Sequence, residues 1–170
     1  MKLNIKEIAV FGMLGAMMFA SKILMEALPN IHLLGVFTIA TTVVYRQKAL
    51  YPIYIYVLLN GLFSGFNVWW VPYLYIWTIL WGAVMLLPKN MPKKAKPFVY
   101  SGLCALHGFW FGLLYAPAQA IFFGLSFEAT VAWVISGLPF DIVHGISNLV
   151  CSVLICPIIA VLKKSEKYIY

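Results

Sequence analysis

Long apolar runs alternate with short polar interruptions along this chain, and the interruptions mark the predicted elements. The first run covers residues 7–28 and stops at Pro29 and Asn30. The second is short, residues 33–45, and stops at Arg46, Gln47 and Lys48. The third covers residues 49–66 and the fourth residues 71–87, before Pro88. A basic loop occupies residues 88–97, and a fifth run fills residues 98–123. The sixth starts at Pro139 and reaches residue 162, where Lys163 and Lys164 close it. Residues 126–136 read as an outer loop or a surface helix. A spanning helix needs about 20 apolar residues, so the pattern predicts an all-α membrane protein. The expected architecture is a compact bundle of six transmembrane helices. The second run is the irregular one. Its length corresponds to about 20 Å of helix, short of the ~30 Å hydrocarbon core. It is therefore longer than its apolar centre, or it lines a cavity.

The charges sort by side. With the N-terminus in the cytoplasm, the connections after the first, third and fifth runs face outside and hold no Lys or Arg. The N-terminus (Lys2, Lys6), the second connection (Arg46, Lys48), the fourth (Lys89, Lys93, Lys94, Lys96) and the C-terminus (Lys163, Lys164, Lys167) face inside. Of the 12 basic residues, Lys22 alone departs from this pattern. That is the cytoplasmic excess of Lys and Arg expected of a multi-pass protein, with both termini cytoplasmic.

Composition narrows the class. The chain is 64% hydrophobic and 10% charged, against about 45–50% and about 25% in soluble domains. This excludes an ordinary soluble enzyme, a secreted disulfide scaffold and a nucleic-acid-binding domain. The net charge of +7 lies in short loops between apolar runs, so no nucleic-acid partner is expected. Six spans consume about 120 residues, which leaves no room for a soluble catalytic domain. Residues 1–170 read as a single integral membrane domain, with its function inside the bundle or at its two faces. The three cysteines, Cys104, Cys151 and Cys156, lie in apolar stretches and read as inert thiols. The first run continues to residue 28 without a clean A-x-A site, so no cleavable signal is expected.

Two faces carry different chemistry. In the first run Gly12, Ala16 and Ala20 recur every four residues, a small-xxx-small stripe that allows another helix to approach closely. The stripe serves either packing inside the bundle or docking of another protein. The outer side holds Glu26, Asn30, His32, Asn67, Trp69, Trp70, Tyr73, Trp77, Tyr115, Gln119, Asp141, His144 and Asn148. An aromatic belt at the membrane boundary accounts for much of the Trp and Tyr content. It does not account for ionisable groups, which usually face the bundle interior or a wet cavity. Lys22 and Glu26 are one helical turn apart, either an ion pair of structural value or part of a site. Asp141, His144 and Asn148 share one face of a helix. Asp141, soon after Pro139, also suits helix capping. His107, nearer the cytoplasmic side, reads as a hydrogen bond within the bundle. There is no P-loop, no H-E-x-x-H and no G-x-S-x-G.

Taken together, the six-span pattern, the inner basic side and the Gly12, Ala16, Ala20 stripe resemble the substrate-binding S components of energy-coupling factor (ECF) vitamin transporters. The resemblance covers the whole chain; its stripe is short, and Gly12 stands where the family pattern has Ala. It implies capture of a vitamin near the extracellular face. Loops after the first and third spans would close over the ligand. The stripe would dock on a transmembrane coupling subunit, and two partner ATPases would drive the cycle. No catalytic residue, metal or cofactor is implied, and the location would be a bacterial plasma membrane. The chain resembles cobalamin-type members most, and the aromatic run at residues 67–77 suits a large flat ligand. A queuine-type base, a pterin or riboflavin suits it too. Two other classes remain: a small intramembrane metal enzyme built on Asp141 and His144, and a scaffold subunit with no ligand.

Overall fold

The computed structural model describes residues 3–167. Among these residues the chain is all helix: eight α-helices and three short 3₁₀ turns. The helices are α1 (Ile5–Leu24), α2 (Leu34–Tyr45), α3 (Leu50–Ser64), α4 (Tyr73–Met85), α5 (Lys96–Phe109), α6 (Phe111–Phe123), α7 (Phe127–Cys151) and α8 (Ile155–Glu166). Four stretches are long and apolar enough to cross a membrane: Ile5–Leu24, Val68–Met85, Lys96–Phe123 and Phe127–Glu166. The molecule is a membrane protein by this measure. Helices α2 and α3 fall short of it, at 12 and 15 residues.

A capping box starts α1. The Asn4 side chain accepts the Glu7 N–H at 2.8 Å, and the Glu7 carboxylate accepts the Asn4 N–H at 3.0 Å. Glu7 is buried and also pairs with Lys48, from the turn after α2. The inner face of α1 packs on α3 through Phe11, Leu14, Gly15 and Met18. Gly15 permits the approach, because a Cβ there would sit 2.7 Å from Ile55 Cβ and 3.0 Å from Pro52 O.

The centre of the bundle is α2. Every residue in it except Val43 is buried, against α1, α4, α5, α7 and α8. Its sequence permits this because it carries no charge and its threonines satisfy themselves. Thr41 Oγ1 donates to Phe37 O at 2.7 Å and Thr42 Oγ1 to Thr38 O at 2.6 Å. Being about 18 Å long, α2 does not reach across a ~30 Å core. It ends where Arg46 takes a left-handed φ of +53°. That turn is pinned on both sides: Arg46 Nη2 donates to Met85 O at 3.0 Å, and Trp81 Nε1 donates to Arg46 O at 3.0 Å.

Two expected boundaries are corrected. The stretch 126–136 is no loop, and Pro139 does not begin a helix. Ser126 caps α7, accepting the Ala129 N–H at 3.2 Å, and the helix runs through Pro139 to Cys151. An internal proline costs about 3 kcal/mol in a water-exposed helix, but membrane helices re-satisfy the freed backbone groups and tolerate it. With a 3₁₀ turn at Ser152–Leu154, the helical path continues into α8. In addition, α1 ends at Leu24 rather than residue 28, and residues 25–33 form a turn.

The basic residues gather at the end where α1 begins. Arg46, Lys48 and Lys89 line one cleft with Glu166, and Arg46, Lys89, Lys96 and Lys163 line another. Lys22 lies near the opposite end of α1.

Candidate functional site

At that opposite end, the turn of residues 25–33 borders a half-open cavity of about 190 Å³. Its lining includes Lys22, Glu26, Asn30, His32, Tyr73, Phe111 and His144. A larger groove of about 760 Å³ between α3 and α4 is lined by Leu50, Tyr51, Tyr54, Ile55, Leu58 and their neighbours. It contains no charged group and faces outward, as a lipid-facing surface does. The smaller cavity carries the chemistry.

The turn is held by Asn30. Its backbone takes φ +61°, which a short polar side chain tolerates. Ser147 Oγ donates to Asn30 O at 2.8 Å, with His144 O at 2.9 Å, and so fastens the turn to α7. His32 then projects into the bundle. Its ring meets His144 at 4.6 Å between centroids and Trp77 at 5.9 Å. His144 meets Phe111 at 4.7 Å, and His107 meets Trp77 at 5.4 Å and Phe111 at 6.0 Å. All 3 histidines of the chain therefore belong to one aromatic cluster, which Tyr73 and Tyr56 join through Trp77. Burial, and secondly the neighbouring His107, push the His32 imidazole down to about 4. It is thus neutral at pH 7, a hydrogen-bonding group and not a cation.

His107 Nε2 donates to Ile76 O at 3.3 Å, which makes its Nδ1 an acceptor. That atom has no partner among the described residues. The same holds for His32 Nδ1, His144 Nε2, Trp77 Nε1, the Tyr56 hydroxyl and both amide atoms of Asn60.

The remaining predicted residues divide by role. Lys22 and Glu26 form a pair at 3.7 Å, with side chains 22% and 61% exposed, at the cavity rim. An exposed pair of this kind contributes about 0–1 kcal/mol. Asp141 lies mid-way along α7, so it does not cap its own helix. Its carboxylate accepts the Gly112 N–H at 3.0 Å and so satisfies a first-turn donor of α6. Asn148 is directed at α5: its Nδ2 donates to Cys104 O at 3.1 Å. It sits where Gly108 and Gly145 bring α5 and α7 close, a Cβ on Gly108 meeting Gly145 Cα at 2.8 Å. Trp69, Trp70, Asn67 and Tyr115 build the connection around α3 and α4. Trp70 Nε1 donates to Val57 O at 2.8 Å, Tyr115 OH donates to Trp69 O at 2.7 Å, and Asn67 Oδ1 accepts the Val68 N–H at 2.6 Å. Gln119 is half-buried on α6 and does not line the cavity.

The small-residue stripe faces outward. Ala16 and Ala20 are exposed, and nothing lies within 4 Å of a Cβ built on Gly12. Packing within the bundle uses Gly15 instead. Among the described residues no group of three or more His, Cys, Asp or Glu is placed to hold a metal.

Sequence reasoning did not single out Phe111, Tyr56 or Asn60, and it read His107 as a hydrogen bond within the bundle, which His107 makes to Ile76 O while also joining the ring cluster. The available signal was that so apolar a chain holds only three histidines. Comparison with family models, with curated proteins and with solved structures finds no match.

Proposed function

We propose that this chain is the substrate-binding subunit of an ECF-type importer in a bacterial plasma membrane. It would capture a small flat vitamin at its outer face and hand it to a transmembrane coupling subunit driven by two ATPases. The observation that carries this reading is the half-open cavity lined by aromatic rings and imidazoles at the end opposite most of the basic residues. In this reading α5 with α6 makes the fifth span and α7 with α8 the sixth, while α2 and α3 complete the count. Both termini are then cytoplasmic, as the Lys and Arg distribution favours. The outward stripe of Gly12, Ala16 and Ala20 supplies a surface on which a partner helix can dock.

Volume bears on the ligand. Pockets for drug-sized molecules run about 300–1,000 Å³, and this cavity is about 190 Å³. A corrin is far too large for it, so the reading favours a pterin- or queuine-sized ring over cobalamin.

The test is a thermal-shift screen of water-soluble vitamins and related bases against the detergent-purified chain, followed by co-purification with an ECF module. Stabilisation by one compound at micromolar concentration or below is expected. A flat response across the panel removes the reading in favour of a scaffold subunit. Reporter fusions after residues 30, 66 and 124 should report outside, and after residues 47 and 92 inside.

A further inference from the structure

Trp77 is 1% exposed, and several of the polar side-chain atoms without a protein partner sit on rings around it. His32 and His107 touch its ring directly, as does Tyr56. His144 touches His32. Asn60, 0% exposed, lies one helical turn beyond Tyr56 on the same face of α3. A buried polar group left unpaired costs about 1–3 kcal/mol, and native proteins carry only a few per 100 residues. Thr38 Oγ1 and Asn148 Oδ1 also lack a protein partner and lie elsewhere. The ring atoms of His32, His107, His144 and Trp77, however, belong to one ring cluster, and two of its members, His32 and His144, line the cavity, the arrangement expected of a recognition surface awaiting its partner.

The atoms specify what they recognise. An indole N–H can only donate. His107 Nδ1 can only accept, because its Nε2 proton goes to Ile76 O. The Asn60 amide offers both. The charged lining of the cavity consists of Lys22 and Glu26, which face each other at the rim. A charge carried inward would meet no counter-ion, and burying an unpaired charge is far costlier than burying an amide. Tyr73 and Phe111 supply flat apolar walls, suited to the faces of a ring.

We infer that the site takes an uncharged nitrogen heterocycle with an amide-like N–H/C=O edge. That edge is turned inward, toward His32 and the Trp77 and His107 rings behind it, the ring packs against Tyr73 and Phe111, which meet edge to face at 6.4 Å, and any charged tail stays at the Lys22–Glu26 rim. This rests on the cavity being the substrate site.

The test is calorimetric titration of the full chain in detergent with lumazine, hypoxanthine and thymine, against nicotinate, orotate and pyridoxal phosphate. At least one of the neutral rings should bind, and at least tenfold tighter than any of the charged ones. Two variants separate recognition from folding: Trp77→Phe keeps an aromatic ring without the donor, and Asn60→Leu replaces the amide by a similar volume of hydrocarbon. Both should weaken binding of the neutral ring tenfold or more, while the unliganded protein melts at the same temperature or higher. Tighter binding of a charged ring overturns the neutral class and leaves the substrate site standing. Variants that melt lower and bind the neutral ring unchanged overturn the role of these atoms. Absence of binding by all six probes overturns both the class and the site.

Discussion

His32 and His144 meet edge to face, ring centroids 4.6 Å apart and planes at 80°. One belongs to the turn after α1 and the other to the middle of α7. The contact therefore holds the turn against the bundle, and it depends on His32 staying uncharged. His32 is held down to about 4, by burial first and by His107 next, with Lys22 adding to the effect. The unfolded chain binds a proton near pH 6.5 and the folded one does not until about pH 4. Stability is then fully present above pH 6.5 and is lost as the pH falls toward 4. The melting temperature in detergent should be level from pH 8 to 7 and decline below about 6.5. His32→Gln should flatten that decline, and an unchanged slope in the variant would assign it to other groups.

Gly112 and Asp141 make a second contact that a single methyl group would break. A Cβ on Gly112 collides with the Asp141 carboxylate, which also accepts the Gly112 N–H. Gly112→Ala should destabilise the protein by about 1–3 kcal/mol, the usual range for overpacking. Asp141→Ala alone removes the acceptor of a first-turn N–H. Because both changes act on one contact, their effects in the double variant should fall short of the sum. Additive losses, measured by denaturation in detergent, would show that the two residues act independently.

Much of this molecule could be read from one dimension, and the rest could not for specific reasons. The apolar runs and the sorting of Lys and Arg depend on local composition, and the helices and the basic end follow them. The cavity residues His32, Tyr73 and His144 stand out because polar groups in apolar runs are costly. Asn60 does not stand out, and His107 reads only as a hydrogen bond within the bundle, since the rest of their meaning lies in which atoms remain unpaired after packing. Asp141 misleads because its donor belongs to another helix, 29 residues away in sequence. Pro139 misleads because a breaker in water is tolerated in lipid.

Gly15 and Ala16 are adjacent on α1, one buried and the other exposed. Gly15 is buried against Ile55 and Pro52, and Ala16 is exposed on the outer face with Ala20. Gly15→Leu should disturb the α1–α3 seam, lowering both the melting temperature and ligand binding. Ala16→Trp should leave folding and ligand binding within twofold of the parent while abolishing uptake and assembly with a coupling subunit. Loss of binding in Ala16→Trp would place that surface inside a packed contact.

Glu7 is 1% exposed and ties two elements together: its carboxylate caps α1 through the Asn4 N–H and pairs with Lys48 beyond α2. The pair itself adds little net stability, since desolvating two charges offsets most of their attraction. Removing one partner is different, because the buried Glu7 carboxylate loses the Lys48 ammonium that offsets its desolvation, a loss of about 3–5 kcal/mol. Lys48→Met should therefore cost several times more than a surface substitution such as Lys93→Met. Glu7→Gln keeps an acceptor for the Asn4 N–H and removes the charge, so Glu7→Gln with Lys48→Met should recover most of the loss. Denaturation of the three variants in detergent measures this directly. A double variant as unstable as Lys48→Met would show that packing of the Lys48 stem, rather than the buried charge, holds α1 to the turn after α2.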